Sequence, residues 1–188
     1  MKRYLVLLSV FVILIVAVAP AARGAEPASG FRAEYIAQVD FVGKRLVDLA
    51  NVMPQEKFSW RPAPGVRSVS EVYVHVAGGD YMIPSMMGVK MPEGINRDME
   101  KTITEKPKVI ETLKKSLEHV KTVAANMSDA DLDKKVKAFG GREMSQREVM
   151  LVLLNHMHEH LGQSIAYARM NGVTPPWSES GEPPTKKS

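Results

Sequence analysis

Residues 145–171 read SQREVMLVLLNHMHEHLGQSIAYARMN, a run without proline that closes at Gly172 and Pro175-Pro176. Ser145 followed by Glu148 has the spacing of a capping box, so the run is predicted to open a helix at about 145. Asn171-Gly172 ends it, and the two prolines prevent a restart. Along this helix Val149, Leu153, His156, His160, Gln163 and Tyr167 recur at steps of four and three. That is the spacing of a core-facing seam. Two histidines therefore stand where a bundle ordinarily wants leucine.

His156 and His160 lie one turn apart, with Cβ atoms about 5–6 Å from each other. Metal–imidazole bonds are about 2.0–2.1 Å, so both rings can reach one ion. His158 lies about 200° around the helix from His156 and cannot join them. Two readings stand side by side. Core histidines can be satisfied by hydrogen bonds alone. Alternatively, a shared ion removes the cost of burying two polar rings, which is a few kcal/mol when they lack partners. Met157 follows His156, so the pattern is not the H-E-x-x-H of metalloproteases.

Other helices appear upstream. Tyr35, Val39, Val42, Leu46, Leu49 and Met53 form one stripe over residues 31–53, stopped by Pro54. A Pro-rich loop precedes a second helix, capped by Ser68 or Ser70 and reaching about 87, with Val69, Val72, Val76 and Ile83 as its stripe. Residues 88–105 read as a loop. Pro107 suits the first turn of a third helix over 106–127, with Ile110, Leu113, Leu117, Val120 and Ala124 on its buried side. SDADLDKK reads as a capped short turn, and Gly140-Gly141 as the turn of a small hairpin. Four long amphipathic helices with one seam each predict an all-α four-helix bundle, with a short extra helix or hairpin between the third and last.

The chain has 188 residues, which suits one domain. Met1-Lys2-Arg3, the apolar run YLVLLSVFVILIVAVA and the small residues after it have the order of a secretory signal peptide. The expected organisation is a leader over 1–25, the bundle over 26–177 and a disordered tail over 178–188. The run is shorter than the about 20 apolar residues of a spanning helix, so the reading is export to the periplasm or beyond, with membrane contact only during passage. Cleavage would remove Lys2, Arg3 and Arg23 but no acid. It would take 25 basic and 21 acidic residues to 22 and 21, a formal charge of +1. No basic block remains to suggest nucleic acid. With no cysteine there is no disulfide, no thiolate ligand and no cysteine nucleophile.

His75 is the candidate third ligand. It stands beside the stripe of the second helix, and Gly78 and Gly79 follow it at three and four residues. The bare face leaves room for a ligand, or simply for close helix packing. Three histidines from two helices would leave a coordination position open, as catalytic metals require. Gln163 shares the face of the two later histidines. Glu159 and Asp80 are the nearby acids, read by default as solvated, as is His119 beside Glu118 on the third helix.

FSWRPAPGVRSVSEVYVHVAGGD over 58–80 and REMSQREVMLVLLNHMHEHLGQSIAYARMNGVTPP over 142–176 carry a further signal. The W-R-P-A loop, the mid-helix histidine, H-x-x-x-H-x-G-Q and the R-x-N-G-x-x-P-P end resemble the DinB-like family of metal-binding four-helix bundles across residues 31–177. The resemblance implies a metal triad of His75, His156 and His160 holding a divalent ion, with zinc or nickel expected. Some members look like thiol-dependent transferases or isomerases, whose metal lowers the pKa of a small thiol. This chain departs from them in its expected export, since such thiols are mainly cytosolic. The expected role is a metal-dependent enzyme of hydrolase or thiol-transferase type acting on a small molecule. The alternative is a non-catalytic metal-binding or stress-related module. A homodimer is left open.

Overall fold

The computed structural model describes residues 28–178. The expected leader and all of the expected tail but Ser178 lie outside the described residues. Four long helices dominate: α1 (Gly30–Val52), α2 (Val69–Ser85), α4 (Lys106–Asn126) and α5 (Gln146–Met170). A short helix, α3 (Met99–Thr102), interrupts the segment expected to be loop. Strands β1 (Lys135–Ala138) and β2 (Arg142–Ser145) pair antiparallel, Lys135 opposite Ser145 and Ala138 opposite Arg142. The all-α bundle with its small hairpin is therefore as expected. No described helix is long and apolar enough to cross a membrane.

The caps are local chemistry. Ser68, Ser128 and Ser145 each accept from the backbone N–H three residues on, while Glu71, Asp131 and Glu148 reach back to the capping residue's N–H. Ser68, not Ser70, thus starts α2. The carbonyls of Phe58 and Trp60 accept the N–H groups of Ser70 and Val69, so the W-R-P loop also satisfies the first turn of α2.

Packing is what places the elements. α1 contacts α4 and α5, and α2 contacts the same two helices, so α1 faces α2 across the diagonal. The stripe of α1 is buried along its length. Gly43 lets α4 close in: a Cβ there would lie 2.9 Å from both Leu117 methyls. On α4 the stripe differs by one residue from expectation. Val109 is fully buried and Ile110 only half-buried. Arg32 is buried, and its Nε donates to Asp129 at 2.7 Å, tying α1 to the turn after α4.

Candidate metal centre

α2 and α5 pack directly on each other, and this brings the predicted histidines together. His75 to His156, His75 to His160 and His156 to His160 are 5.1, 4.7 and 4.6 Å apart between ring centroids. Each offers one ring nitrogen within 4.8 Å of those of the other two. Gly79 makes the approach sterically allowed. A Cβ at that position would lie 2.4 Å from His156 Cε1, so the His156 ring occupies the space a side chain would fill. Gly78 has nothing within 4 Å of such a Cβ and borders the open groove instead.

Hydrogen bonds orient two of the rings. Nδ1 of His75 donates to Glu100 Oε1 at 2.7 Å, and Arg67 Nε donates to the other oxygen of that carboxylate at 2.7 Å. Nδ1 of His160 donates to Gln163 Oε1 at 2.8 Å. Gln163 Nε2 then donates to the Tyr167 hydroxyl, which donates to the carbonyl of Arg67. The edge of Trp60 packs on Tyr167 at 5.3 Å. With Nδ1 protonated and committed, each of the two rings keeps its Nε2 lone pair for an ion. His156 Nδ1 is buried without a hydrogen-bond partner among the described residues. A ring nitrogen left unpaired beside two pre-oriented imidazoles fits a missing cation better than a finished hydrogen-bond network.

Electrostatics agree. Burial, followed by the neighbouring His160, His75 and Arg67, pushes His156 down to about 4. Burial also lowers His160, against an upward pull from Gln163. The His156 and His160 rings are thus neutral near pH 7, the state that ligates a metal. Burial pushes the Glu100 carboxyl up, but bonds from Arg67 and His75 outweigh it, and the net shift is downward. Glu100 therefore stays anionic beside the site.

The other candidates are placed differently. Gln163 lies on the triad side, bonded to His160. Glu159 is exposed, with no hydrogen bond to the triad among the described residues. Asp80, expected to be solvated, is fully buried and accepts from Ser116 Oγ of α4 at 2.7 Å. It is five residues past His75, about 140° around the helix, and so faces a different neighbour. His119 is not a free surface residue either. It is half-buried against Tyr81, and its Nε2 is covered and unpaired. His158 is exposed, with Nδ1 3.0 Å from the Leu154 carbonyl. Glu100 and Arg67 escaped the sequence reading. Both stand outside the long helices, where no periodicity points to a partner.

His75 and His156 line a groove of about 1140 Å³ bounded by α2, α5, the segment around α3 and the hairpin turn. Phe139 lines it from that turn, at φ 43°, with Gly140 and Gly141 also at positive φ. The site is thus accessible to a small molecule on the side away from the core.

Several solved structures share this bundle design. A DinB-like protein from Bacillus cereus ATCC 10987 superposes with a TM-score of 0.65 at 21% identity, over 77% of this chain and 95% of that one. A DinB-like protein from Bacillus subtilis gives 0.60 at 20% identity, over 75% and 93%. A mycothiol-dependent maleylpyruvate isomerase gives 0.57 at 13% identity, over 69% of this chain and 59% of that one. No curated protein sequence is a match to this chain. The family model of the DinB superfamily matches residues 38–164, from the middle of α1 to beyond the second α5 histidine, and the chain belongs to that superfamily.

Proposed function

We propose that this protein is an exported, metal-dependent enzyme acting on a small molecule, with His75, His156 and His160 holding one divalent ion. Zinc and nickel are the expected ions for an all-imidazole set. The observation that carries the reading is the convergence of three imidazoles on one point, two of them oriented by Glu100 and Gln163, beside an open groove that His75 and His156 line. A divalent ion there supplies Lewis acidity, lowering the pKa of a water or thiol that approaches it. The chain contributes orientation and neutrality. Glu100 and Gln163 hold the rings, Arg67 keeps Glu100 ionised, and Phe139 narrows the groove.

On the disposition of the acids alone, thiol transfer fits better than hydrolysis, although the expected export sets this chain apart from thiol-dependent relatives, whose thiols are mainly cytosolic. Both oxygens of Glu100 are already engaged, by His75 and Arg67. Asp80 is sealed on the α4 side. Hydrolysis commonly calls for a free general base within hydrogen-bond reach, and a thiol that deprotonates at the metal needs none. The solved mycothiol-dependent isomerase with this fold is consistent with that preference.

The test is metal analysis and then turnover. Purified protein should carry about one divalent ion per chain, and alanine at His75, His156 or His160 should reduce it to near zero. His158→Ala and His119→Ala should retain it. An equal loss from His158→Ala would refute the ligand assignment. Thiol-plus-electrophile substrates are then compared with esters and amides. Fully loaded protein that turns over neither class would point to the non-catalytic module.

A further inference from the structure

Two facts about the groove bear on what enters it. Its lining acids are Glu71 and Glu100, and both are occupied. Glu71 bonds Arg61 at 3.2 Å and the Ser68 backbone, and Glu100 bonds Arg67 and His75. Arg97 and Lys101, which also line it from the segment around α3, form no ion pair among the described residues. The groove therefore carries two uncompensated positive charges on one side. Isolated surface cations are ordinarily solvated, but cations in a concave, partly apolar site focus their field on what enters.

The second fact is apolar. Met82 and Met91 are 41% and 39% exposed, and both of these exposed side chains line this groove. Phe139 lines it as well. Methionine adapts to irregular apolar ligands, and an aromatic face adds area with little loss of entropy.

We propose that the groove binds an amphipathic anion, its carboxylate or phosphate head against Arg97 and Lys101 and its apolar body over Met82, Met91 and Phe139. This deepens the reading above by naming a substrate class, and it rests on that reading only in calling the ligand a substrate. Neutral molecules of the same shape leave the two cations unpaired, and cationic ones are repelled.

The test is calorimetric titration of the purified protein with octanoate, octyl phosphate, octanol and octylammonium, each below its micelle concentration. Each titration is run with added zinc and again with a chelator. Octanoate or octyl phosphate should bind at least about tenfold more tightly than octanol, as expected for a charge-assisted contact. Octylammonium should not bind. The stronger of the two anions identifies the head group. Arg97→Ala with Lys101→Ala should erase the preference for anions, and Lys114→Ala, on the exposed face of α4, should not. Met82→Ser with Met91→Ser should remove the advantage of octanoate over acetate, which is titrated alongside as the head group alone. Octanol binding as tightly as octanoate, or anion binding untouched by the Arg97 and Lys101 changes, would overturn the proposal. Selectivity that persists with chelator, in a protein that takes up no zinc, would support the groove and refute only the metal.

Discussion

His75 faces α5 with its Nδ1 bonded to Glu100 and its ring at the wall of an open groove, whereas Asp80, on the same helix, faces α4 and is sealed from water. On the first side the polar atoms form connected lines, from His75 through Glu100 to Arg67 and from His160 through Gln163 and Tyr167 back to the Arg67 carbonyl. On the second side Asp80 has one partner, Ser116, and its Oδ1 has none among the described residues. The contrast shows what determines charge state in a bundle. A group with partners and access to water keeps the form its neighbours select. A group cut off from water with a single neutral partner takes the uncharged form, and burial raises the Asp80 carboxyl to about 8 despite Ser116.

The two sides should therefore respond to pH with opposite signs. Asp80 has a folded pKa above the unfolded value of about 3.9, so its share of stability is full below that value. That share is lost as pH rises through about 8. Metal-free protein should lose a few kcal/mol across that window, and Asp80→Asn should flatten the loss. Urea unfolding at intervals from pH 4 to 9 measures both; an unchanged slope in the variant would refute the assignment.

His156 works the other way. Its folded pKa is lowered to about 4, so its share of stability is full above the unfolded value of about 6.5 and is lost as pH falls through about 4. The expected effect is smaller, since the ring keeps some water contact. It shows best in the Asp80→Asn background, where the opposing slope is gone. Stability that is flat from pH 7 to 4 in that background would break the comparison.

The adjacent glycines sharpen it sterically. Gly79→Ala should cost about 1–3 kcal/mol and displace His156, lowering metal content. Gly78→Ala meets nothing within 4 Å and should gain up to about 1 kcal/mol from helix propensity. Chemical denaturation of the two variants decides between them, and equal destabilisation would remove the role given to Gly79.

The smallest effect concerns the carboxylate on the open side. Glu100→Gln should weaken metal binding by about tenfold while global stability changes little. Glu159→Gln, at an exposed position, should change neither. Competition with a coloured chelator reads the affinity, and equal affinities for Glu100→Gln and the parent would show that orienting His75 contributes nothing.

The histidine pair was legible because α5 is regular. A heptad step is a rotation, and a rotation places side chains on one face whatever surrounds the helix. The same regularity exposed the stripes of α1 and α2 and the capping box of α5, whose partners sit three residues apart. Asp80 was misread because Gly78 and Gly79 blur the pattern of α2 just where α4 closes over it. Glu100 was invisible for a different reason. It belongs to a segment without periodicity, anchored by buried Met99, and reaches His75 only after α3 lies against α2.

By itself the sequence determined where the four long helices lie, most of the apolar face of each, and that His156 and His160 share a face, because these follow from local geometry and near-neighbour hydrogen bonds. The tertiary structure alone decided that α1 and α2 lie diagonal to each other with α5 against both, that His75 meets the pair, that Glu100 and Arg67 support it and that Asp80 is sealed away. Those outcomes depend on how the helices close around one core, and the packing that closes them joins residues far apart in the chain, where no local pattern records the pairing.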